Sequence, residues 1–431
     1  MYSRDARYKE RSGLNATCRA DDAESDQPLI EADPQLTITR LTPFVISRRA
    51  FLRGTVLTAL GITIGGGLRL AHSRAGGIAA LGPLQGPDEN GLLLPVGFRS
   101  RVVARSGIRP LPKSAYRWHA APDGGATFAS NDGGWIYVSN SEMPNGNGGA
   151  GALRFDSAGN MADAYSILTG TSRNCGGGAT PWNTWLSCEE VDGGQVWECD
   201  PFALREPIVR PLLGRFAHEA VAVDPRQGQL YLTEDKPNGC LYRFTPARRN
   251  KLGHPDLSTG TLEVAEVLEA QGGRILWHAV PDPDAKHVPT RKQVAVASRF
   301  RGGEGIAWHA GIVYFTTKGD DRVWAYDVSA ERIRVFYDHT DHEQKVLTGV
   351  DNVTISPAGD VLVAEDGGDL QIVAVIPGRQ LVPVVQLAGH DDSEMTGPAF
   401  DPAGTRLYFS SQRGTTGRWQ DGITFEVTGR F

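Results

Sequence analysis

Short apolar runs that end in acids or amides recur along most of this chain. WIYVSNSE spans residues 135–142, TWLSCEE 184–190, QLYLTEDK 229–236, IVYFTTKGDD 312–321, DVLVAEDGGD 360–369 and RLYFSSQR 406–413. Their β-branched and aromatic residues favour strands. Aligned on Val138, Leu186, Leu232, Phe315, Val363 and Phe409, the runs are separated by 48, 46, 83, 48 and 46 residues. Between them lie DSAGN, DPRQGQ, SPAGD and DPAGT, which put Asp and Gly where a tight turn needs them. A repeat of about 47 residues with several short strands per unit predicts a β-propeller. The interval of 83 contains Pro246–Arg299, rich in charge, Pro and Gly. The expected fold is therefore all-β, a six-bladed propeller with an insertion between the third and later blades. A β-sandwich is the plainer alternative, which the regular spacing disfavours.

In a propeller, equivalent strand ends gather at one mouth of a channel. Here those ends carry Asn140 and Glu142, Glu189 and Glu190, Glu234 and Asp235, Asp320, Glu365 and Asp366. Crowded carboxylates repel and hold their protons to higher pH unless cations neutralise them. Many oxygen donors suit a hard cation such as calcium, and a thiolate brings in a softer transition metal. The thiolate candidate is Cys175, in NCGGGATPWNTWLSCEE at 174–190, where adjacent glycines allow close backbone approach. GRFAHEAVAVD supplies His218 and Glu219, RGGEGIAW supplies Glu304, and GVDN supplies Asp351 and Asn352. GHDDSEMTGPAF, with Asp391, Asp392 and Glu394, reads as a polar loop. GxSxG, Walker and HExxH patterns are absent, so the expected nucleophile is a metal-bound oxygen.

Composition adds boundaries. The 431 residues include 52 Gly and 26 Pro, and the net charge of −6 argues against a nucleic-acid partner. The five cysteines, Cys18, Cys175, Cys188, Cys199 and Cys240, fit no zinc-finger spacing. Disulfides and buried free thiols both remain open for them. Residues 1–46 are polar and read as disordered. SRRAFLRG at 47–54 then precedes a Gly-rich apolar run, Thr55–Leu70, which is too short for a stable membrane span. Twin arginines in that setting predict a twin-arginine (Tat) signal, with small residues near Ala75 suited to cleavage. The expected division is a leader at 1–75 and a propeller at 76–431, handled by the Tat machinery and placed in the periplasm or secreted.

The 174–190 stretch, GRFAHEAVAVD, YLTED, GGEGIAW, VDN and the closing TGPAFDPAGTRLYFSSQR together resemble the PhoX-type alkaline phosphatases from about residue 90 onward. The resemblance implies a monomeric six-bladed propeller that uses iron and calcium to hydrolyse phosphate monoesters. Carried onto this chain, it implies an iron site of Cys175, Glu190, Glu234 and Glu304. For calcium it implies Glu219, Asp351, Asn352 and Glu365. The family clamps phosphate with basic residues, one of them two positions before the GGEG glutamate. This chain has Gly302 there, with Arg301 one residue further off. After YLTED it has Lys236 and then Pro237, a displacement of one position. Arg301 and Lys236 are thus the basic residues the resemblance offers. That departure keeps two alternatives in view: another metal-dependent propeller hydrolase, such as a lactonase or phosphodiesterase, and a non-catalytic binding propeller.

Overall fold

The computed structural model describes residues 77–269, 272–376 and 381–431. The expected leader, its twin arginines and Cys18 lie outside the described residues. The described chain is all-β, with strands interrupted only by single turns of 3-10 helix. No helix among the described residues is long and apolar enough to cross a membrane.

The apolar runs form strands buried on both faces, which is why they read as continuous rather than alternating. In Trp135–Ser141, Trp135 and Tyr137 pack with Phe155 and Tyr408. On the other face, Ile136 and Val138 pack with Trp185 and Cys199. Leu186 meets Leu232 and Tyr242 in a third layer, and Tyr231 meets Phe315 and Trp324 in a fourth. Val323 and Tyr337 meet Val363, and Leu362 meets Leu407 and Phe409. Tyr408 then returns to Tyr137, ring centroids 5.0 Å apart and stacked. The apolar layers close in a circle, so the fold is propeller-like. Each large side chain buried this way contributes about 1.5–3 kcal/mol.

The sheets do not divide into six separate blades as the spacing predicts. Four have four or five strands each, and one has nine. The nine-stranded sheet consists of two antiparallel meanders joined by Gly272–Ala279, which pairs with Gly260–Val267 on one side and Arg332–Asp338 on the other. Both of those first two strands come from the stretch expected as an insertion. Their pairing covers what would be two exposed sheet edges. At the other side of the circle, Arg99–Arg105 pairs with Ile423–Thr428, so an early strand completes the last sheet.

Six strands line the axis: Pro122–Ala129, Asn174–Ala179, His218–Val223, Gly303–His309, Val350–Ile355 and Met395–Phe400. Residues toward the ends of all six surround a central cavity of about 350 Å³. Their opposite ends, where each strand begins, carry the acids.

Candidate metal centre

Each axial strand pairs with the strand that follows it, and the register repeats. Pro122 faces Ser141, Asn174 faces Glu189 and His218 faces Glu234. Gly303 faces Thr317, Val350 faces Glu365 and Met395 faces Ser411. A bulge then interrupts every one of these registers. In five of the pairs, the residue after the opening one is Asp123, Cys175, Glu219, Glu304 or Asp351; in the sixth it is Thr396. One residue past the second strand stand Glu142, Glu190, Asp235, Lys318, Asp366 and Gln412. A bulge re-aims a side chain locally, and here the repeated bulges turn functional groups toward one mouth.

The donors form a closed circuit. Cys175, Glu190 and Glu219 present one ligand atom each within 4.8 Å of one another. Glu219, Glu304 and Asp351 form a second such group, Asp351, Asp366 and Glu394 a third, and Asp123, Glu142 and Glu394 a fourth. Glu219, Asp351 and Glu394 are each shared by two groups. The Cys175 thiol lies 3.6 Å from Asp123 Oδ2, which links the last group to the first. Gln412 Nε2 donates to Asp123 Oδ2 at 2.6 Å and to Glu142 Oε2 at 3.0 Å.

Burial makes this crowding costly. Glu219 is fully buried, and neither of its carboxylate oxygens has a hydrogen-bond partner. Burial, then Glu304, Glu190 and Asp351, push its carboxyl well above the ordinary range. Burial, with Glu142 and Asp235 nearby, raises Glu190 to about 9. Asp351 rises to about 7, mainly by burial. The Cys175 thiol is pushed well up by burial and then by Asp123 and Glu219. Without cations this cluster would hold protons, whereas cations would let it ionise. The donor set of one thiol and many carboxyls, together with the unpartnered oxygens of Glu219, fits metal ions.

Local contacts position these groups. Buried Asn140 donates to the carbonyls of Cys175 and Gly176 at 2.9 and 2.6 Å. Its Oδ1 accepts from Trp185 Nε1 and Ser187 Oγ, both at 2.8 Å. Thr233 Oγ1 donates to the Glu304 carbonyl at 2.6 Å. In each case a side chain on one second strand braces the bulge of the next axial strand. Gly176 sits so close that a Cβ there would meet the Glu219 carbonyl at 2.5 Å.

Of the residues expected from the sequence, Cys175, Glu190, Glu219, Glu304 and Asp351 come together. Asn352 lies beside them, but its amide is used internally: Nδ2 donates to Asp351 Oδ1, and Oδ1 accepts from the Gly397 N–H. Glu234 and Glu365 stand outside all four groups. Glu234 pairs with Arg291 at 2.9 Å and accepts from Tyr242 Oη and the Cys240 N–H. Glu365 accepts from the Thr348 and Gln371 N–H groups. Lys236 pairs with the exposed Asp192 at 3.1 Å. Arg301 is exposed and lines a side cavity of about 290 Å³ with Asp320 and Arg322.

Sequence reasoning missed Asp123, set Glu394 aside in a polar loop, and counted Glu142 and Asp366 among the acidic strand ends without assigning either to a metal. Asp123 is second in PDGGATFA, a strand with no apolar run before it, but the acid-Gly-Gly pattern echoes Cys175-Gly-Gly. Three cations were also missed, the first being Arg173, whose Nη1 lies 2.9 Å from Glu142 Oε1. Lys318 Nζ is 2.9 Å from Glu304 Oε1 and 3.7 Å from Asp366 Oδ2. Arg413 reaches Glu394 at 2.8 Å and Asp366 at 3.8 Å. Of the five cysteines, the four in the described residues are all free.

The family model of alkaline phosphatase PhoX matches residues 146–196 and 192–414. No curated protein matches the chain. Among solved structures, Pseudomonas fluorescens PhoX, in complex with the transition state analogue vanadate, is similar with a TM-score of 0.66 and 15% identity, over 81% of this chain and 97% of that chain. A gluconolactonase of Xanthomonas campestris is similar at 12% identity and a TM-score of 0.43, over 81% of this chain and 98% of its own. A streptogramin B lyase is similar at 13% identity and a TM-score of 0.43, over 77% and 97%.

Proposed function

Because the chain belongs to the alkaline phosphatase PhoX family and is thereby a phosphatase-like hydrolase, we propose that it hydrolyses phosphate monoesters at the acidic mouth with the help of bound cations. The observation that carries this reading is Glu219, whose two buried, unpartnered oxygens lie between two donor groups. Cys175, Glu190 and Glu219 suit a transition metal such as iron, since a thiolate favours softer ions. Asp123, Glu142, Asp351, Asp366 and Glu394 are oxygen donors suited to calcium. Bound cations would supply charge neutralisation for the phosphate oxygens and the leaving oxygen.

The protein's own part is to hold the donors rigidly. Asn140 and Thr233 fix the bulge carbonyls, and directly under the bulges the channel narrows to a cavity of about 40 Å³ before it widens further along the axis. Substrate would therefore approach from the mouth, where Glu190 and Asp366 are part-exposed. We count the two meanders of the nine-stranded sheet as separate blades, which makes six and sets six bulges around one axis. The SRRAFLRG stretch supports export through the Tat pathway into the periplasm or medium.

The test is metal analysis of purified protein followed by p-nitrophenyl phosphate hydrolysis, before and after chelation and after calcium is restored. Expected are iron and calcium in the protein and turnover lost with the cations. A fully metal-loaded protein without monoesterase turnover would sink the proposal. Replacing both export arginines, Arg48 and Arg49, with lysine should retain the protein in the cytoplasm; unchanged export would remove the localisation reading.

A further inference from the structure

The basic residues that the sequence offers for phosphate, Lys236 and Arg301, sit apart from the donor circuit. Three others touch it: Arg173, which pairs with Glu142 at 2.9 Å, and Lys318 and Arg413, which share one acid. Lys318 occupies the position one past a second strand, where four other pairs carry Glu142, Glu190, Asp235 and Asp366. Arg413 follows Gln412, which holds that same position in the last pair. Both converge on Asp366 and bracket it from neighbouring strand pairs, at 3.7 and 3.8 Å.

Depth separates these cations from the donors. The side chains of Lys318, Asp366 and Arg413 are 38%, 29% and 25% exposed, against 2% for Glu304. The side chains of Lys318 and Arg413 thus reach solvent more than the Glu304 carboxyl does. Arg413 is held firmly. Its N–H donates to Ser393 Oγ, and Ser393 and His390 both contact Ser411 Oγ beneath it. Its Nε donates to the Asp392 carbonyl and Nη1 to Gln412 Oε1. Only Nη2, facing Asp366, has no short contact among these.

Resting on the phosphatase reading above, we propose that Lys318 and Arg413 are the phosphate-binding cations of this chain, taking the place that Lys236 and Arg301 do not fill. Acids occupied by cations release Lys318 and Arg413 from their present pairing. The two groups then face the mouth as a compact ammonium and a planar fork, complementary to the several terminal oxygens of a phosphate monoester dianion. A diester, with two such oxygens and a single charge, satisfies this pair less well, so the pair selects monoesters.

The experiment uses full-length metal-loaded protein and the variants Lys318→Met, Arg413→Met, Lys318→Arg and Arg413→Lys. The readouts are KM and kcat for p-nitrophenyl phosphate, the inhibition constant of inorganic phosphate, direct phosphate binding by calorimetry, and cation content. The methionine variants should raise KM and weaken phosphate at least tenfold with cation content retained. The charge-keeping variants should recover part of that loss. Lys236→Ala and Arg301→Ala should stay within twofold. Methionine variants that fold, hold their cations and bind phosphate within twofold of the parent overturn the assignment while leaving the phosphatase reading intact. Should a methionine variant fail to fold, charge-keeping variants of unchanged affinity together with a tenfold loss in Arg301→Ala or Lys236→Ala overturn it equally. A parent protein that neither binds nor turns over phosphate overturns both readings, and the binding measurement separates that case from the first.

Discussion

Asn140 shows how much a single side chain carries in this molecule. It is buried, with both amide hydrogens and its oxygen engaged, and it spans from one strand pair to the bulge that presents Cys175. Removing it leaves two carbonyls, an indole N–H and a serine hydroxyl short of partners in a dry interior. Asn140→Ala should cost about 3 kcal/mol in denaturant unfolding and lower bound transition metal. Equal stability and equal metal would show that the amide braces nothing. Gly176 carries a steric version of the same demand. A methyl there would sit 2.9 Å from Glu219 Oε1 as well as against its carbonyl. Gly176→Ala should therefore reduce cation binding at Glu219 and cost about 1–3 kcal/mol, read by calorimetric titration and melting.

At the scale of the strand, parity decides which acid does what. Glu189, Glu234 and Glu365 each end a second strand, and each is taken up by partners outside the donor groups. Glu189 accepts from the Ser172 and Gln195 N–H groups, and Glu365 from Thr348 and Gln371. The next residues, Glu190, Asp235 and Asp366, turn to the shared mouth. Glu365→Gln should thus lower the melting temperature and leave cation stoichiometry unchanged. Asp366→Asn should do the reverse, weakening cation binding while leaving the metal-free protein at least as stable. Matching effects from the two would remove the parity argument.

That rule also explains what could be read beforehand. The recurring acid pairs were legible as strand ends, and Cys175, Glu190, Glu219, Glu304 and Asp351 were found from local glycines and acids. Which member of Glu234–Asp235 or Glu365–Asp366 faces the mouth depends on register, and a one-residue difference in register reverses the answer. Glu394 read as loop because it precedes its strand by one residue. Lys318 and Arg413 went unnoticed because their partners are distant in sequence. The sheet division was likewise out of reach, since the pairing of Gly272–Arg274 with Arg332–Arg334 is long-range.

For the molecule as a whole, the acidic mouth is a reservoir of repulsion whose size depends on pH. The folded Glu190 carboxyl holds its proton to about 9 and Asp351 to about 7, against ordinary values of 4.5 and 3.8. Between those limits the folded state binds more protons than the unfolded chain, so stability falls as pH rises. Chelated protein should melt at progressively lower temperature from pH 5 to pH 9. Calcium-loaded protein should show a much flatter profile, because cations replace the protons. A chelated protein whose melting temperature rises with pH across that window would contradict the burial assigned to these carboxyls.

The pairing of Arg101 with Glu426 joins residues 325 apart in sequence. Bringing such distant ends together costs about 5 kcal/mol of chain entropy on logarithmic loop scaling, and contacts this remote slow folding. A nascent chain on the ribosome can assemble its middle strand pairs but cannot seal the clasp until Ile423–Thr428 has emerged. Asp123 and Gln412, 289 residues apart, meet between the sheet that this clasp completes and its neighbour. The donor group of Asp123, Glu142 and Glu394 joins an early strand to a late one, so it forms only after Glu394 has been made.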